Sequence, residues 1–409
     1  MKFSVAIRFC GALLCGELAS AQAGQAEWVR SPAISPDGKS AFDAFWLDVK
    51  QTFYDPKLHG VNWDDVYTTY SKYLADVANP TELAELVNEV SGTLNASHLF
   101  PDALQFKINL DNSNDTATAS LGLLSDNSYS GAGVKVAAIL QGGPLDRGEV
   151  KVGDIISAVD GSPIPEVGCL DLLLDGKVGQ KVTLTLKRGT ETKTLSVKTI
   201  SLEEEWKLNM ARIIEQRRQQ VAQQGGGKLA YTYLPEMDNN AFITAYNDLL
   251  TMQDERRAAI VDVRSNGGGD LNRQLMNFLS GKAFAQFGRE GRPWGQDPSN
   301  HWRKPSALLL DSFAYSDGSV FPQSYADAKL GPIIGEMNVN TGTGINVVVS
   351  PLVPELRYSV PVMPMRRMDG SYYENALIKP DILLPHDPNA EQQGRDIVLE
   401  RAIQTLLGK

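Results

Sequence analysis

The sequence is poor in the residues that build disulfides and metal centres. Only three of its 409 residues are cysteines, and only four are histidines. Two of the cysteines, Cys10 and Cys15, lie in an N-terminal segment that we expect to be removed. The remaining Cys169 then has no partner for an internal disulfide, and we expect it to be a buried, small apolar residue. No group of histidine, cysteine and carboxylate residues has the spacing of a zinc site, so we expect neither a metal nor another cofactor.

The sequence also lacks an excess of positive charge and, beyond the N-terminus, a long hydrophobic run. Its net charge of −10 disfavours nucleic acid or an anionic membrane as the main partner. Because no run of about 18 apolar residues follows the N-terminal segment, we expect no membrane span. An apolar content of 42% and a charged content of 22% are typical of globular proteins. The chain is too long for a single ordinary core, so we expect several domains.

The N-terminus has the pattern of an export signal. Lys2 and Arg8 give a basic start, a short apolar run follows, and Ala-Ser-Ala at 19–21 matches a cleavage site of small residues. We therefore expect residues 1–21 to be a signal peptide and the mature chain to be exported to a bacterial periplasm or to the exterior. An ordinary N-terminal helix is the alternative. Attachment of a lipid at Cys15 is disfavoured because a large leucine precedes it.

After an extended segment over 22–40, the sequence predicts a small helical subdomain over 41–110. One helix is predicted over 41–54, where apolar and aromatic residues recur at helical spacing. A second helix is predicted to begin after Asn79, which can cap it, while Glu82 can close a capping box. The residues expected on the buried faces of these helices are Phe42, Phe45, Trp46, Val49, Phe53, Leu83, Leu86, Val87, Val90 and Leu94.

A stretch rich in Asn, Ser, Asp and Gly begins after residue 110 and marks a domain boundary. The sequence that follows predicts a β domain over 111–200, with strands at 133–140 and 181–189 and a hairpin turn at 159–162. A polar helix and a linker are then predicted over 201–227, where three consecutive glycines end the helix.

Predicted strands and helices alternate over 228–409. This order is typical of an α/β layer whose parallel strands are joined by right-handed crossovers. The chain is thus predicted to be an α/β multidomain protein. The predicted elements of the layer are a strand at 228–234, a helix at 239–252, a strand at 257–265, a helix at 270–280, a strand at 306–313, a helix from Ser316 and a strand at 331–336.

The most informative short stretch is AYSDGSVF at 314–321, in which Ser316 lies between a predicted strand and a predicted helix. A serine at this position can be a plain helix N-cap. It can also be a nucleophile, because its hydroxyl is accessible and the N–H groups that begin the helix can bind a developing oxyanion. No GxSxG elbow surrounds Ser316, which disfavours the α/β-hydrolase class. The residues alone leave the cap and the nucleophile open.

Three other features are suited to catalysis. The glycines at 267–269 follow a buried strand and precede a helix, so their N–H groups suit an oxyanion hole or a phosphate, although a tight turn also explains them. His98 follows a well-formed helix and is the best candidate for a base, whereas the other three histidines are expected at the surface or in loops. Glu374 lies among strand-forming residues and would ordinarily be solvated.

Together these features resemble the tricorn-type serine peptidases, a branch of the C-terminal processing peptidase class. Four motifs carry the resemblance in the family's order: SH at 97–98, DVRSNGGG at 262–269, SDG at 316–318, and EN followed by KPD at 374–381. A module at 142–164, GGPLDRGEVKVGDIISAVDGSPI, lies between the first two and looks like part of a PDZ domain. Each motif alone is weak, but four in order around a PDZ-like insert are fairly specific.

The resemblance implies a crotonase-like α/β peptidase layer with a catalytic tetrad. Ser316 resembles the nucleophile of the family, and His98 resembles the general base. Ser97 resembles the hydroxyl that orients the histidine, and Glu374 resembles the acid that completes the chain. The family's activity would make the protein a serine endopeptidase that needs no metal.

The resemblance also implies an oxyanion hole, for which Gly269 and Asp317 match the two backbone N–H donors. A rival branch of the class uses a serine–lysine dyad. Its lysine would follow the nucleophile closely, but this sequence has no lysine between Lys329 and Lys379. The histidine version is therefore favoured.

A PDZ-like domain over 111–200 implies binding of peptide C-termini by strand addition. Leu121, Gly122 and Leu123 resemble its carboxylate-binding loop, although a plain strand start fits them as well. The expected partners are peptides or unfolded protein tails, and a homo-oligomer is left open.

One further expectation follows from a departure from the family, and two alternative functions stay open. Full-length tricorn proteins carry β-propellers before this core, whereas the segment at 31–42 resembles only one propeller-type hairpin, so we expect the propellers to be lacking. The alternative function is a catalytically inactive, PDZ-type scaffold that binds peptides. Another acyl hydrolase on the same layer is a third interpretation.

Overall fold

A computed structural model of the chain describes most of the residues that follow the N-terminal segment. The predicted signal peptide at 1–21 and all three cysteines lie outside the described residues. The chain divides into two compact units, one containing residues 118–215 and the other containing residues 36–101 and those from 216 onward. No helix in the described part of the chain is long and apolar enough to cross a bilayer. The described ranges are 36–101, 118–165, 170–251, 253–387, 390–391 and 394–408.

Helices and strands are numbered in chain order. The α-helices are α1 (Pro36–Thr52), α2 (Trp63–Tyr70), α3 (Pro80–Gly92), α4 (Leu170–Leu174), α5 (Leu202–Gln224), α6 (Asn239–Leu250), α7 (Asn272–Ser280), α8 (Asp317–Asp327) and α9 (Ile397–Leu407). The strands are β1 (Phe100–Pro101), β2 (Ala119–Ser120), β3 (Leu123–Ser125), β4 (Val134–Ile139), β5 (Ile155–Val159), β6 (Ser162–Pro163), β7 (Lys181–Arg188), β8 (Glu191–Lys198), β9 (Ile200–Ser201), β10 (Leu229–Tyr233), β11 (Ala258–Asp262), β12 (Ala285–Arg289), β13 (Arg292–Asp297), β14 (Ser306–Leu310), β15 (Ile333–Gly335), β16 (Asn338–Val339), β17 (Gly344–Val349), β18 (Arg357–Met363), β19 (Leu377–Ile378) and β20 (Ile382–Leu383).

The unit that contains residues 118–215 is a small antiparallel β domain. Its main sheet has the order β3-β4-β5-β7-β8, and β6 pairs with β5. Strand β7 forms because Val182, Leu184 and Leu186 alternate into the core while the residues between them are more exposed. Arg188, at the end of β7, donates two hydrogen bonds of 2.7 Å to the buried carboxylate of Asp154. The strands and the hairpin turn predicted for this domain are confirmed.

The second unit is built on a sheet of the order β10-β11-β14-β15-β20, whose neighbouring strands are all parallel. The central strands β11 and β14 are buried along their whole length. Such continuous apolar runs are expected where helices cover both faces of a parallel sheet. The alternation of strands and helices predicted from residue 228 is therefore confirmed, with ends shifted by a few residues.

Helices α1 to α3 lie in the region predicted as a helical subdomain over 41–110, but they do not form a core of their own. Their apolar faces share one core with residues of the late sheet β1-β18-β17, including Leu356, Tyr358 and Val360. The ring of Phe45 meets that of Tyr358 edge-on, with centroids 5.1 Å apart. Short helices bury too little apolar surface alone, so the sheet completes their core and joins them to the α/β layer.

Helix α1 begins at Pro36, earlier than predicted. The extended segment predicted over 22–40 is therefore wrong for its last residues, and the propeller-type hairpin at 31–42 is wrong from Pro36 onward. Proline suits the first helical position, where an N–H is not needed, and Asp37 adds a favourable charge to the first turn. The part of the chain that the structure describes contains no β-propeller.

Helix α3 begins where the sequence predicted. The side chain of Asn79 accepts hydrogen bonds from the N–H groups of Thr81 and Glu82, both at 3.0 Å. The Glu82 carboxylate reaches back to the Ala78 N–H at 2.6 Å, one residue before the position that the capping box predicted.

A buried network of charged side chains fixes the end of β11. The loop that contains the glycines at 267–269, here called the glycine loop, follows this strand. The Arg264 guanidinium donates to Asp262 at 2.6 Å and to Asp396, the N-cap of α9, at 2.8 Å. Arg217 of α5 lies 3.4 Å from Asp262 and 3.2 Å from Asp396. Burial would raise the pKa of Asp262, but the two arginines lower it, so the carboxylate stays ionised. Asp262 and Arg264 thus have a structural role, since the network anchors both α5 and α9 to the strand.

Candidate active site

Ser316 lies on the sharp turn between β14 and α8. Its backbone has φ 53° and ψ −128°, a region that non-glycine residues seldom adopt. Its side chain makes no capping hydrogen bond, although it occupies the N-cap position. Its N–H instead donates to the Thr341 hydroxyl at 2.7 Å. The helix-cap interpretation is therefore wrong, and the turn leaves the Ser316 hydroxyl without a hydrogen-bond partner among the described residues.

The glycine loop passes directly beside this serine. A Cβ atom on Gly268 would lie only 2.5 Å from the Ser316 Cβ, so only glycine allows the loop to come this close. The buried Asn266 holds the loop in place, because its side-chain oxygen accepts from the Gly268 N–H at 2.8 Å. The Asn266 carbonyl accepts from the Tyr315 N–H at 2.9 Å, which ties the loop to the residue before Ser316.

Two backbone N–H groups beside Ser316 have no acceptor among the described residues, and they are the two that the resemblance implied. They belong to Gly269 and Asp317. Gly269 has φ 142°, and a Cβ there would lie 2.2 Å from the Met237 carbonyl oxygen. The Asp317 carboxylate accepts from the N–H groups of Leu271 and Asn272, at 2.6 and 2.7 Å, and so caps α7 from a different helix. Burial raises the pKa of this carboxyl group.

His98, Ser97 and Glu374 form a continuous hydrogen-bonded chain. The Ser97 hydroxyl lies 3.3 Å from Nδ1 of His98 and donates to Oε1 of Glu374 at 3.0 Å. Oε2 of Glu374 accepts from the hydroxyl and the N–H of Thr343, at 2.7 and 3.1 Å. Glu374 is only 6% exposed, so these donors replace the water that an ionised carboxylate would otherwise need.

The imidazole of His98 is buried, and burial lowers its pKa. The negative charge of Glu374 and the Thr341 carbonyl oppose this effect, because both favour the protonated ring. The ring of Tyr315 packs on the imidazole with centroids 4.8 Å apart, and its hydroxyl donates to the Ser97 carbonyl at 2.9 Å. The site thus holds a neutral histidine at neutral pH and has a carboxylate ready to stabilise the imidazolium.

The turn at 315–316 and Thr341 connect the proposed nucleophile with the hydrogen-bonded chain of His98, Ser97 and Glu374. Tyr315 touches His98, and the next residue is Ser316. The hydroxyl of Thr341 accepts a hydrogen bond from the Ser316 N–H. The carbonyl of Thr341 accepts one from the Ser97 hydroxyl at 3.4 Å. The hydroxyl of Ser316 and the imidazole of His98 do not form a hydrogen bond in the structure. Such bonds are often loose without substrate and tighten when it binds.

Sequence reasoning missed several residues that position this site. These are Tyr315, Thr341, Thr343 and Asn266, each of which holds a residue singled out from the sequence. The only sequence signal for any of these residues was the segment NTGTG at 340–344. Its threonine hydroxyls and its glycines are suited to a turn that offers hydrogen-bond donors to neighbouring residues.

Of the other three histidines, His59 lies in a short 3-10 helix, whereas His301 and His386 lie in loops. His59 and His386 are exposed, whereas His301 is only 3% exposed. Within the described ranges, no group of three or more histidine, cysteine and acidic residues could hold a metal ion.

The suggested carboxylate loop of the β domain is largely occupied by its own contacts. Leu121 and Leu123 are buried in the core of that domain. The Gly122 N–H already donates to the Ser120 hydroxyl at 2.9 Å. Binding of a peptide carboxylate at this loop stays a prediction.

Comparison with known protein families identifies three domains. Residues 37–92 match the tricorn protease C1 domain, residues 108–199 match the PDZ domain, and residues 228–384 match peptidase family S41. The chain thus carries, in one order, segments that match a tricorn protease domain, a PDZ domain and a peptidase domain of family S41. The resemblance and the fold class inferred from the sequence are confirmed.

The named relatives of the chain belong to the same group of proteins as these domain matches. The chain is 28% identical over 392 residues to tricorn protease homolog 2 of Streptomyces coelicolor, which covers 90% of this chain and 32% of the relative. It is 24% identical over 390 residues to the tricorn protease of Thermoplasma volcanium, covering 91% of this chain and 36% of the relative. A crystal structure of the tricorn protease superposes with a TM-score of 0.73 at 18% identity, covering 91% and 37% of the two chains. The chain therefore spans about a third of the length of these relatives, and the last match shows a shared fold.

Proposed function

We propose that the protein is a serine endopeptidase that cleaves peptides or unfolded protein tails. Ser316 is the proposed nucleophile and His98 the proposed base, with Ser97 and Glu374 orienting and stabilising the imidazole. The observation that carries the proposal is the unbroken contact from the buried Glu374 through Ser97 to His98, beside a strained serine. A helix-capping serine needs neither a strained backbone nor such a chain.

The geometry supports an acyl-transfer reaction. His98 accepts the hydroxyl proton of Ser316 as the serine oxygen attacks a peptide carbonyl, and the imidazolium then gives the proton to the leaving amine. Water, deprotonated by the same imidazole, attacks the acyl-enzyme and restores the serine. The N–H groups of Gly269 and Asp317 bind the oxyanion in both steps, since neither has another acceptor among the described residues.

Labelling with a fluorophosphonate tests this proposal. The reagent should modify Ser316 in the wild-type protein, and the labelled peptide can be located by mass spectrometry. Labelling should be lost in Ser316→Ala and in His98→Ala, and it should persist in the controls Ser312→Ala and His386→Ala. A folded wild-type protein that neither reacts nor cleaves unfolded casein would instead be the inactive peptide-binding scaffold. Labelling that survives in His98→Ala would reject this histidine as the base.

We also propose that the chain is exported, as the basic start and the small residues at 19–21 predict. N-terminal sequencing of the protein from cells that export it should then begin at residue 22. Recovery of a chain that still begins at Met1 would contradict this proposal.

A further inference from the structure

Strand β17 has an exposed apolar stripe on a sheet edge that no other strand of the described residues covers. It is the end strand of the sheet β1-β18-β17. Ile345, Val347 and Val349 are 37%, 42% and 56% exposed, and they share one face because they alternate along the strand. Soluble proteins usually protect a free edge with charges, proline or a bulge near its middle. The sequence GINVVV has neither charge nor proline, so the strand is suited to pair with another extended chain.

This stripe lies two strands away from the segment that contains the candidate catalytic histidine. Val347 is opposite Ser359 of β18, and Ser359 is opposite Phe100 of β1. The Ser359 hydroxyl donates to the carbonyl of His98, two residues before Phe100. Since neighbouring strands lie about 5 Å apart, β17 runs roughly 10 Å from the strand that begins beside His98.

The stripe is also continuous in the chain with the residues that position the active site. Thr341 binds the N–H of Ser316, and Thr343 binds the Glu374 carboxylate. Strand β17 begins at the next residue, Gly344. A peptide paired with β17 would therefore be led toward the turn that holds the proposed nucleophile.

Exposed methionines add to the apolar surface near the start of β17. Met363, Met365 and Met368 are three of the nine methionines in the chain, and they are 64%, 37% and 104% exposed. Met363 lies against Gly344 at the start of β17. Methionine is flexible and polarisable, and methionine-rich surfaces adapt to varied apolar partners.

We propose that β17 and these methionines bind the substrate as an added strand with aliphatic side chains at alternate positions. The docking strip is defined as Ile345, Val347, Val349 and Met363. Its occupant is an apolar segment of an unfolded polypeptide, which forms main-chain hydrogen bonds with the free edge and places alternate side chains on the stripe. This inference rests on the proposed peptidase function, since it assigns the substrate class of the same site.

Binding to an uncleaving protein tests the strip separately from catalysis. The background is Ser316→Ala, and the probe is an octapeptide of alternating Val and Thr. Its N-terminus carries fluorescein, and its C-terminus is amidated so that no terminal carboxylate can reach the PDZ domain. A matched octapeptide has Asp in place of Val. The variants are Val347→Lys and Val349→Lys, and the control is Leu47→Lys, which changes a side chain of α1 that is 45% exposed.

Fluorescence anisotropy should show binding of the Val–Thr peptide and none of the Asp–Thr peptide. We expect Val347→Lys and Val349→Lys to raise the Kd by about tenfold or more, because each variant places an ammonium group where an aliphatic side chain would be buried. Leu47→Lys should leave the Kd unchanged. Equal Kd values in all four proteins, or equal binding of both peptides, would overturn the proposal.

Two further measurements separate the remaining outcomes. With Ser316 restored, Val347→Lys should react with fluorophosphonate at the wild-type rate, because this small reagent does not need the strip. A wild-type protein that does not react refutes the peptidase function, whereas the anisotropy result still decides whether the strip binds peptide. If Val347→Lys converts a dimer to a monomer in sedimentation and leaves the peptide Kd unchanged, a second copy covers the strip and the proposal is wrong.

Discussion

Replacing Glu374 by glutamine tests the proposed chain of hydrogen bonds most directly. The substitution keeps the shape of the side chain but removes its negative charge. One of its two oxygens also becomes an amide nitrogen, which cannot accept a hydrogen bond, so the bond that either Ser97 or Thr343 now donates is lost. The imidazolium that forms during catalysis would then lose its nearby counter-charge.

The size of the effect follows from the geometry. The two hydrogen bonds of the chain, 3.3 and 3.0 Å long, place the carboxylate about 6 Å from Nδ1 of His98, where an effective dielectric constant of about 20 gives roughly 3 kcal/mol. Burial already lowers the pKa of His98, and Glu374 is the charge that raises it. Removing that charge should therefore lower the pKa of His98 further. The same energy lost from the transition state would slow turnover by about a hundredfold.

The assay is the pH dependence of kcat/KM for a fluorogenic peptide. His98 must be neutral to act as the base, so activity falls on the acid side with its pKa. In Glu374→Gln the maximum rate should be about a hundredfold lower, and the acid limb should move to lower pH. The control is Glu336→Gln, which removes a carboxylate that likewise accepts from the N–H and hydroxyl of one serine, Ser312.

The reasoning would be refuted by a folded Glu374→Gln protein whose acid limb stays in place or moves to higher pH. An equal loss of rate in Glu336→Gln would show that the effect is one of general destabilisation. Thermal unfolding of both variants separates these cases from simple misfolding.

The remaining predictions concern packing, charge and hydrogen bonding. Gly268→Ala should abolish fluorophosphonate labelling, because its Cβ would clash with the nucleophile, whereas Gly153→Ala has a similar φ with open space and should label normally. Burial opposes ionisation of Asp396, but Arg264 lowers its pKa to about 2, so this group stabilises the fold above the pKa of an unfolded aspartate and loses that effect as the pH falls toward 2. Urea unfolding should show roughly 2 kcal/mol lost between about pH 5 and 2, and a flatter dependence in Asp396→Asn. Thr343→Val should lower kcat about tenfold with little change in KM, since it removes a charge-assisted hydrogen bond to the buried glutamate; an unchanged kcat would exclude this role.

Local patterns were sufficient to predict the first four strands of the parallel sheet and the helices between them, but not β12, β13 or the strands from β16 onward. The alternation of β10, α6, β11, α7, β14, α8 and β15 was readable because apolar runs and turn residues are encoded within each segment. The cap of α3 was readable for the same reason, since Asn79 and Glu82 act within one turn of the chain. The start of α1 at Pro36 was missed because a proline fits an extended segment as well as a first helical turn.

The sequence by itself determined the alternation of strands and helices in the parallel layer and the motifs that contain Ser316, His98 and the glycine loop. Only the tertiary structure decided that Ser316 is not a helix cap and that the first helices share a core with β18. It also decided that Ser97 meets Glu374 across 277 residues of chain. Periodicity describes which face of one element is buried, but contacts between distant segments depend on how those faces pack, and no local pattern records that.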